Sequence, residues 1–279
     1  MEELWRQATE MMSERPVLWL PVLVADLLGF LLNLGATAMV RAAILSRLQY
    51  QSALGGGPMR APMNAKALQH ATTLALAITW SSNLVRLLLY AAAFITTAAL
   101  VRAFRNRIDK PAGEILPALK RNAAGIVSLA LRAFALYAFA AFSFSWLGRS
   151  LIAHGHKAVL ASGWLEIGAG IILIAVLALL LAPVAIQTFA RHRPTPDVQR
   201  NGQLFALGLA AVALVLGRFV ESNLRSVHIA FQPARYALGL TGSLIVALPY
   251  AVLFAGLGLL AWKTAREAPT SAEQAVEVG

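Results

Sequence analysis

The sequence predicts an all-α fold: a polytopic transmembrane helical bundle of six spans with an N-terminal amphipathic helix. Of its 279 residues, 58% are hydrophobic and only 13% are charged, whereas about 25% of the residues of a soluble domain are charged. The mean hydropathy is +0.66. The hydrophobic residues form long blocks, and about 20 apolar residues let a helix cross the hydrocarbon core. Because lipid cannot satisfy backbone polar groups, blocks of this length are expected to be helical.

These blocks define the predicted domain organisation. An amphipathic interfacial helix is predicted at 1–15, a six-helix membrane domain at 16–264, and a disordered tail without apolar periodicity at 265–279. In the first segment, four apolar residues share one helical face, which predicts a helix lying in the membrane interface: Leu4, Ala8, Met11 and Met12. The predicted spans are about 16–40, 76–101, 123–147, 162–190, 203–220 and 236–262.

The net charge of +11 reflects the connections between spans, so it indicates membrane topology and not a nucleic-acid partner. With a cytoplasmic N-terminus, the inner segments hold thirteen Lys and Arg and the outer segments eight, while three of the 24 lie within spans. Cytoplasmic loops carry an excess of Lys and Arg. We therefore predict a multi-pass protein of the cell (inner) membrane with both termini cytoplasmic.

No motif in the sequence points to catalysis, a cofactor or a metal. The chain has no cysteine, which excludes thiol catalysis and thiolate metal sites. His154 and His156 lie two residues apart with Glu166 ten residues on, but a metal site needs three or four ligands of suitable geometry. Walker A, HExxH and GxSxG motifs are absent. We therefore expect a protein that is not an enzyme and has no catalytic residue, cofactor or metal.

The polar residues within the spans are the candidate site. Asp26 lies well inside the first span, and Gly29 and Asn33 share its helical face. An intramembrane carboxylate is costly unless it faces the bundle interior or a wet cavity. Gly29 would also allow a neighbouring helix to approach closely.

The second and third spans each offer a basic partner for Asp26. One face of the second span carries Asn83 and Arg86, together with Thr79, Tyr90, Ala93 and Thr97, and the third span carries Arg132. Counted from the inner end at about 1.5 Å per residue, Asp26 and Arg132 are both about 15 Å deep and Arg86 about 22 Å. Equal depth predicts an Asp26–Arg132 pair, with Arg86 reaching Asn33 or extending toward the outer surface.

Two interpretations of this cluster remain open. It is either a buried structural ion pair that holds three helices together, or a polar cavity that binds or passes a substrate or proton. A dry, fully paired cluster would argue against transport, and a continuous wet cleft would argue against a purely structural role.

Basic residues at the inner end of the second span are candidates for contact with anionic lipid headgroups. Ordinary topology signalling explains the same residues equally well. They are Arg102, Arg105, Arg107 and Lys110.

Prolines and two similar junctions complete the pattern. Pro21, Pro183 and Pro249 lie within predicted spans, where each is expected to kink its helix and free a carbonyl. The inner junctions at 103–125 and 189–204 both contain Arg-rich, Pro-containing stretches that lead to an Arg-Asn pair. A duplicated helical unit and the ordinary composition of inner loops both explain this similarity.

Four stretches carry a resemblance to a known family: RPVLWLPVLV, VRAFRNRIDKPAGEILPALKRN, LAPVAIQTFARHRPTPDVQRNGQLFALG and IVALPYAVLFAGLGLLAWKTAR. The chain resembles the membrane domain associated with some bacterial glycerophosphoryl diester phosphodiesterases and related stand-alone membrane proteins. The resemblance implies a six-helix membrane domain. The 279 residues contain no phosphodiesterase barrel, so the family's hydrolytic residues have no counterpart among them.

The sequence therefore favours a non-enzymatic integral membrane protein that acts as a scaffold or as a lipid-interacting or partner-binding membrane domain. Its expected partners are membrane lipids, and other membrane proteins or further copies of the chain. The alternative is a small transporter or channel that uses the buried cluster of Asp26, Asn33, Asn83, Arg86 and Arg132.

Overall fold

The computed structural model describes residues 2–55, 65–153, 164–226 and 232–267, and within these ranges all regular structure is helical. Two 3₁₀ turns, Pro16–Trp19 and Pro111–Glu114, precede α2 and α4. The helices are α1 (Glu2–Glu14), α2 (Leu20–Gly55), α3 (Ala65–Arg105), α4 (Ile115–Arg121), α5 (Ala123–Ala153), α6 (Trp164–Ala190), α7 (Pro196–Ser226) and α8 (Gln232–Glu267).

Six of these helices are long and apolar enough to cross a membrane, which confirms the predicted fold class. The fifth begins at Pro196, seven residues before the predicted start of its span. The candidate spans are Pro16–Ala42, Thr72–Arg105, Ala123–Leu151, Ile171–Ala190, Pro196–Val220 and Tyr236–Glu267. The chain is therefore a multi-pass helical membrane protein. The six described spans bring the end of α8 back to the end of the bundle at which α2 begins, here called the terminal end.

The bundle is built around α3 and α8. These two helices are buried over 50% and 61% of their most apolar stretches, compared with 22–28% for the other four spans. Helix α8 packs against α1, α2, α3, α6 and α7, while α3 packs against α2, α5 and α8. Fully buried alanines on α8, among them Ala251 and Ala255, permit this close packing because their side chains are small.

The amphipathic pattern of α1 is used inside the protein. Leu4, Ala8, Met11 and Met12 are buried, and α1 packs along α8. The apolar face of α1 therefore packs against protein, whereas the sequence predicted that it would lie in the membrane interface. On the opposite face, hydrogen bonds from Gln7 and Arg6, at 2.6 and 2.7 Å, lower the pKa of the Glu3 carboxyl below its usual value.

The three prolines lie at two kinds of position, one in the first turn of a helix and two inside helices. Helix α2 begins at Leu20, so Pro21 lies in a first turn, where it needs no intrahelical donor and the predicted kink is wrong. Pro183 and Pro249 lie inside α6 and α8. The carbonyl of Leu179, four residues before Pro183, accepts a hydrogen bond at 2.7 Å from the Gln203 amide of α7. A neighbouring helix thus satisfies the carbonyl that Pro183 frees.

The terminal end carries the two similar junctions. Helices α3 and α6 are each followed by an arginine with left-handed backbone, Arg107 (φ 53°) and Arg191 (φ 63°). The Arg191 guanidinium donates to the carbonyl of Arg121 at 3.0 Å and so ties the two junctions together. Helix α8 continues through Glu267, so residues 265–267 of the predicted tail are helical, and the rest of the tail lies outside the described residues.

Candidate functional site

The Asp26 carboxylate is held by side chains from two other helices. Its Oδ1 accepts hydrogen bonds from the Tyr90 hydroxyl at 2.7 Å and from the Arg86 guanidinium at 3.4 Å, both on α3. Its Oδ2 accepts a hydrogen bond from the Ser243 hydroxyl of α8 at 2.6 Å. Asp26 itself is only 1% exposed. Its carboxylate joins α2, α3 and α8, and both of its oxygens accept hydrogen bonds.

The predicted partner of Asp26 is wrong. Asp26 pairs with Arg86, while Arg132 lies exposed on α5. Helix α2 packs against α3 and α8, whereas α5 packs against α3 and α6, so equal depth does not make Asp26 and Arg132 neighbours. The turn Pro16–Trp19 is 3₁₀ and rises about 2.0 Å per residue, which places Asp26 deeper than an α-helical count gives.

The side chain of Arg86 is guided by a glycine on α2. A β-carbon on Gly29 would lie 3.2 Å from the Arg86 Cγ and 3.4 Å from its Nε. The absence of a side chain at Gly29 therefore leaves room for the aliphatic part of the Arg86 side chain. The guanidinium carbon lies 5.7 Å from the centroid of the Tyr90 ring, in cation–π geometry. The close approach expected at Gly29 is therefore made by an arginine side chain.

A cavity of about 910 Å³ lies beside this cluster, between α3, α5, α6, α7 and α8. Of the 29 lining residues that the structure describes, nine are alanine and three are glycine, so the helices leave space between them because their facing side chains are small. The lining stretch of α8 runs from Leu238 to Leu257, about 28 Å at 1.5 Å per residue. The cavity is thus elongated along the bundle and has mainly apolar walls.

The polar groups of the cavity wall are confined to one part of it. They belong to Asn83, Arg86 and Tyr90 of α3, to Tyr137 of α5, and to Asp26, Ser243 and Tyr250. The Asn83 amide donates to the Tyr137 hydroxyl at 3.2 Å. Toward the terminal end, the wall is apolar and includes Phe94, Leu129 and Leu257. The cavity therefore offers a polar region and a long apolar region.

Arg86 is the charged group that this cavity presents. Among the described lining residues only Asp26 and Arg86 carry a formal charge, and their side chains are 2% and 44% exposed respectively. The carboxylate is enclosed by its three donors, whereas the side chain of Arg86 retains open surface. A molecule entering the cavity would therefore meet a positive charge and several hydroxyl and amide groups.

The predicted cluster is only partly brought together. Asp26, Asn83 and Arg86 line the cavity. Asn33, which was expected to face inward or to meet Arg86, is exposed two turns beyond Asp26, in a part of α2 where the described residues are not buried. Arg132 is exposed on the outer face of α5. A polar residue such as Asn33 or Arg132 in an apolar span does not show by itself whether its position on the helix faces the core of the bundle.

Sequence reasoning missed the contribution of α8. Ser243 and Tyr250 are seven residues apart, and Gly239, Ala247 and Phe254 continue the same face at helical spacing. That stripe of small and polar residues with an aromatic residue at its end was the available signal. It was overlooked because α8 contains no charged residue in this region.

The four basic residues proposed to meet lipid headgroups are all exposed at the terminal end. Arg105 and Arg266 lie on the ring of Trp262, with guanidinium carbons 5.9 and 5.6 Å from its centroid. The Trp262 indole donates to the Asn106 side chain at 3.1 Å. Arg105 thus helps join α3 to α8, whereas Arg102, Arg107 and Lys110 present their charge outward.

In the part of the chain that the structure describes, His, Asp and Glu form no group of three or more that could hold a metal. His154 and His156 lie outside the described residues. Comparisons with protein-family models, curated proteins and solved structures found no match to this chain.

Proposed function

We propose that this protein is a non-enzymatic, lipid-binding membrane protein that holds an amphipathic molecule inside its helical bundle. The observation that carries the proposal is the elongated cavity with an apolar wall and one polar region. Its volume of about 910 Å³ lies within the range of about 300–1,000 Å³ that is typical of small-molecule sites. An apolar chain fits the Ala-rich wall, and a polar end fits the region of Arg86.

The resemblance to the phosphodiesterase-associated membrane domain is compatible with this proposal, since a lipid-binding module needs no hydrolytic residues. We also propose that the protein lies in the cell membrane with both termini cytoplasmic. The exposed charges of Arg102, Arg107 and Lys110 at the terminal end would then face the cytoplasmic leaflet, whose anionic lipids attract basic residues.

A transporter that uses the same cavity is the second candidate. It is favoured by the position of the Asp26–Arg86 pair well inside the spans, where ionisable residues commonly mark substrate pathways. Pro249 also lies in α8 within the lining stretch, and interrupted helices often form transporter sites. Against transport, Asp26 is buried and both of its carboxylate oxygens already accept hydrogen bonds.

Two adjacent alanines of α7 allow a matched test of lipid binding. Ala210 lines the cavity, whereas Ala211 is exposed on the outside of the bundle. Phenylalanine at position 210 would fill part of the cavity, so Ala210→Phe should lose most of the lipid that copurifies with the wild-type protein. Ala211→Phe should retain it. Native mass spectrometry of the two purified variants measures the bound lipid directly.

Equal lipid retention by the two variants would contradict the proposal, provided that both remain folded by thermal unfolding in detergent. Reconstitution into sealed liposomes separates the two candidate functions. A lipid-binding protein should not accelerate movement of the bound molecule between leaflets, whereas a transporter should do so, and Ala210→Phe should then block the movement.

A further inference from the structure

We infer that the cavity takes a single-chain amphiphile with an anionic head, a carboxylate or a phosphate, and that Arg86 binds this head. This inference rests on the proposed function and specifies its ligand. Arg86 is the described lining residue that combines a formal charge with an open surface, its side chain being 44% exposed. Guanidinium donors match the geometry of carboxylate and phosphate oxygens.

The hydrogen bonds of Asp26 leave Arg86 able to bind a second anion. The hydroxyls of Ser243 and Tyr90 lie 2.6 and 2.7 Å from the carboxylate, whereas the Arg86 nitrogen lies 3.4 Å away. A strong charge-assisted N–H···O bond is about 2.7–2.9 Å long. Asp26 is thus secured mainly by two hydroxyls, and its contact with Arg86 orients the guanidinium without using up its five N–H donors.

The surroundings of Arg86 keep its head facing the cavity. Its stem passes over Gly29 of α2, and its guanidinium lies near the Tyr90 ring. Asn83 and Tyr250 line the cavity beside it and add an amide and a hydroxyl that can donate to an anionic head. Among the described residues of this wall, the acidic one is Asp26, whose side chain is only 2% exposed and whose two oxygens both accept hydrogen bonds.

The size of the cavity favours one chain. Its volume suits a drug-sized molecule, and its apolar wall extends from the level of Arg86 toward the terminal end as far as Ala185 and Leu257. A fatty acid and a lysophospholipid share the required chemistry, one acyl chain with an anionic head. They differ in the head, which is a carboxylate in the first and a phosphate in the second.

The inference is tested with three probes of equal chain length: oleate, oleoyl-lysophosphatidylglycerol, and oleyl alcohol as the uncharged control. Delipidated full-length protein in detergent is titrated with each probe, and the bound mass is read by native mass spectrometry. We expect oleate or the lysophospholipid to bind more tightly than oleyl alcohol. Whichever anion binds more tightly identifies the head as carboxylate or phosphate.

Removing the guanidinium should abolish this preference. In Arg86→Gln, affinity for the preferred anion should fall by about tenfold or more, as expected for loss of a hydrogen bond to a charged group, while oleyl alcohol binding stays unchanged. Arg132→Gln removes an exposed arginine from the neighbouring helix and should leave all three affinities unaltered. Arg86→Lys should retain part of the preference, because lysine keeps the positive charge but lacks the planar guanidinium that donates two parallel hydrogen bonds to an anion.

A folding control keeps this test decisive. Arg86→Gln leaves Asp26 with one donor fewer, so the double variant Asp26→Asn/Arg86→Gln, which has no uncompensated charge, is measured alongside it and should also show no anion preference. If anions and the alcohol bind wild type equally, or if Arg86→Gln keeps the preference, the inference is overturned while lipid binding still stands. If Ala210→Phe leaves lipid content unchanged, the proposed function itself fails.

Discussion

At the scale of single residues, the Asp26 carboxylate has both a structural and an orienting role. It accepts hydrogen bonds from two residues of α3 and one of α8, so one side chain of α2 joins the two central helices. The same contact holds the Arg86 guanidinium at the cavity wall. Because truncating one partner of a buried pair leaves an uncompensated charge, replacement of Asp26 is expected to affect both stability and the position of Arg86.

The pairing of Asp26 is tested by two double-mutant cycles. Asp26→Asn combined with Arg86→Gln should show a coupling energy of about 0.5–3 kcal/mol, as is usual for residues in contact. Asp26→Asn combined with Arg132→Gln should be additive within about 0.5 kcal/mol. The free energy of unfolding, measured by denaturant titration in detergent, gives both values. Coupling to Arg132 together with additivity at Arg86 would reverse the assignment.

The residues of this cluster show what a single sequence can and cannot predict. The cost of an intramembrane carboxylate identifies Asp26 as buried, and helical spacing places Asn83, Arg86 and Tyr90 on one face. The choice between Arg86 and Arg132 depends on which helices are neighbours, and depth along a span carries no such information. An arginine side chain is also long enough to bridge the difference in depth that favoured Arg132.

At the scale of helices, Pro183 and Gln203 form a compensating pair. Proline cannot donate to the carbonyl four residues earlier, and Gln203 of α7 supplies that donor to Leu179. The hydrogen bond that α6 lacks at Pro183 is therefore replaced by one between α6 and α7. The sequence predicted the freed carbonyl, but the residue that satisfies it became evident only from the packing of the two helices.

The pair of Pro183 and Gln203 predicts the result of a third double-mutant cycle. Gln203→Ala should lower the free energy of unfolding by about 1 kcal/mol, because the Leu179 carbonyl loses its partner. In a Pro183→Ala background, the new backbone N–H at position 183 can bond to that carbonyl, so the same change should cost much less. Thermal or denaturant unfolding of the four proteins measures the difference. An equal cost of Gln203→Ala in both backgrounds would show that the hydrogen bond to Leu179 does not matter.

Helix α1 illustrates a pattern with two structural solutions. Its apolar face at Leu4, Ala8, Met11 and Met12 was evident from the sequence, and these residues are buried. An amphipathic helix can bury such a face in the membrane interface or against protein, and periodicity is the same in both cases. Packing along α8 decides the outcome here, and it adds a further contact to the most buried helix of the bundle.

At the scale of the whole molecule, the membrane fold follows directly from composition and block length, whereas the cavity does not. Its walls come mainly from five helices, with Asp26 of α2 beside them, and its volume arises from alanines and glycines that face one another across the bundle. Small residues in a span are equally typical of close helix packing. Only the arrangement of α3, α5, α6, α7 and α8 determines whether such residues meet or leave space.

The central claim is that an anionic amphiphile occupies this cavity, and an experimental density map tests it most directly. The full-length protein in nanodiscs would be imaged by electron cryomicroscopy after addition of the preferred anion. We predict continuous elongated density along the Ala-rich wall that ends within hydrogen-bonding distance of the Arg86 guanidinium. A cavity closed by side chains, or lipid density confined to the outer surface of the bundle, would contradict the account.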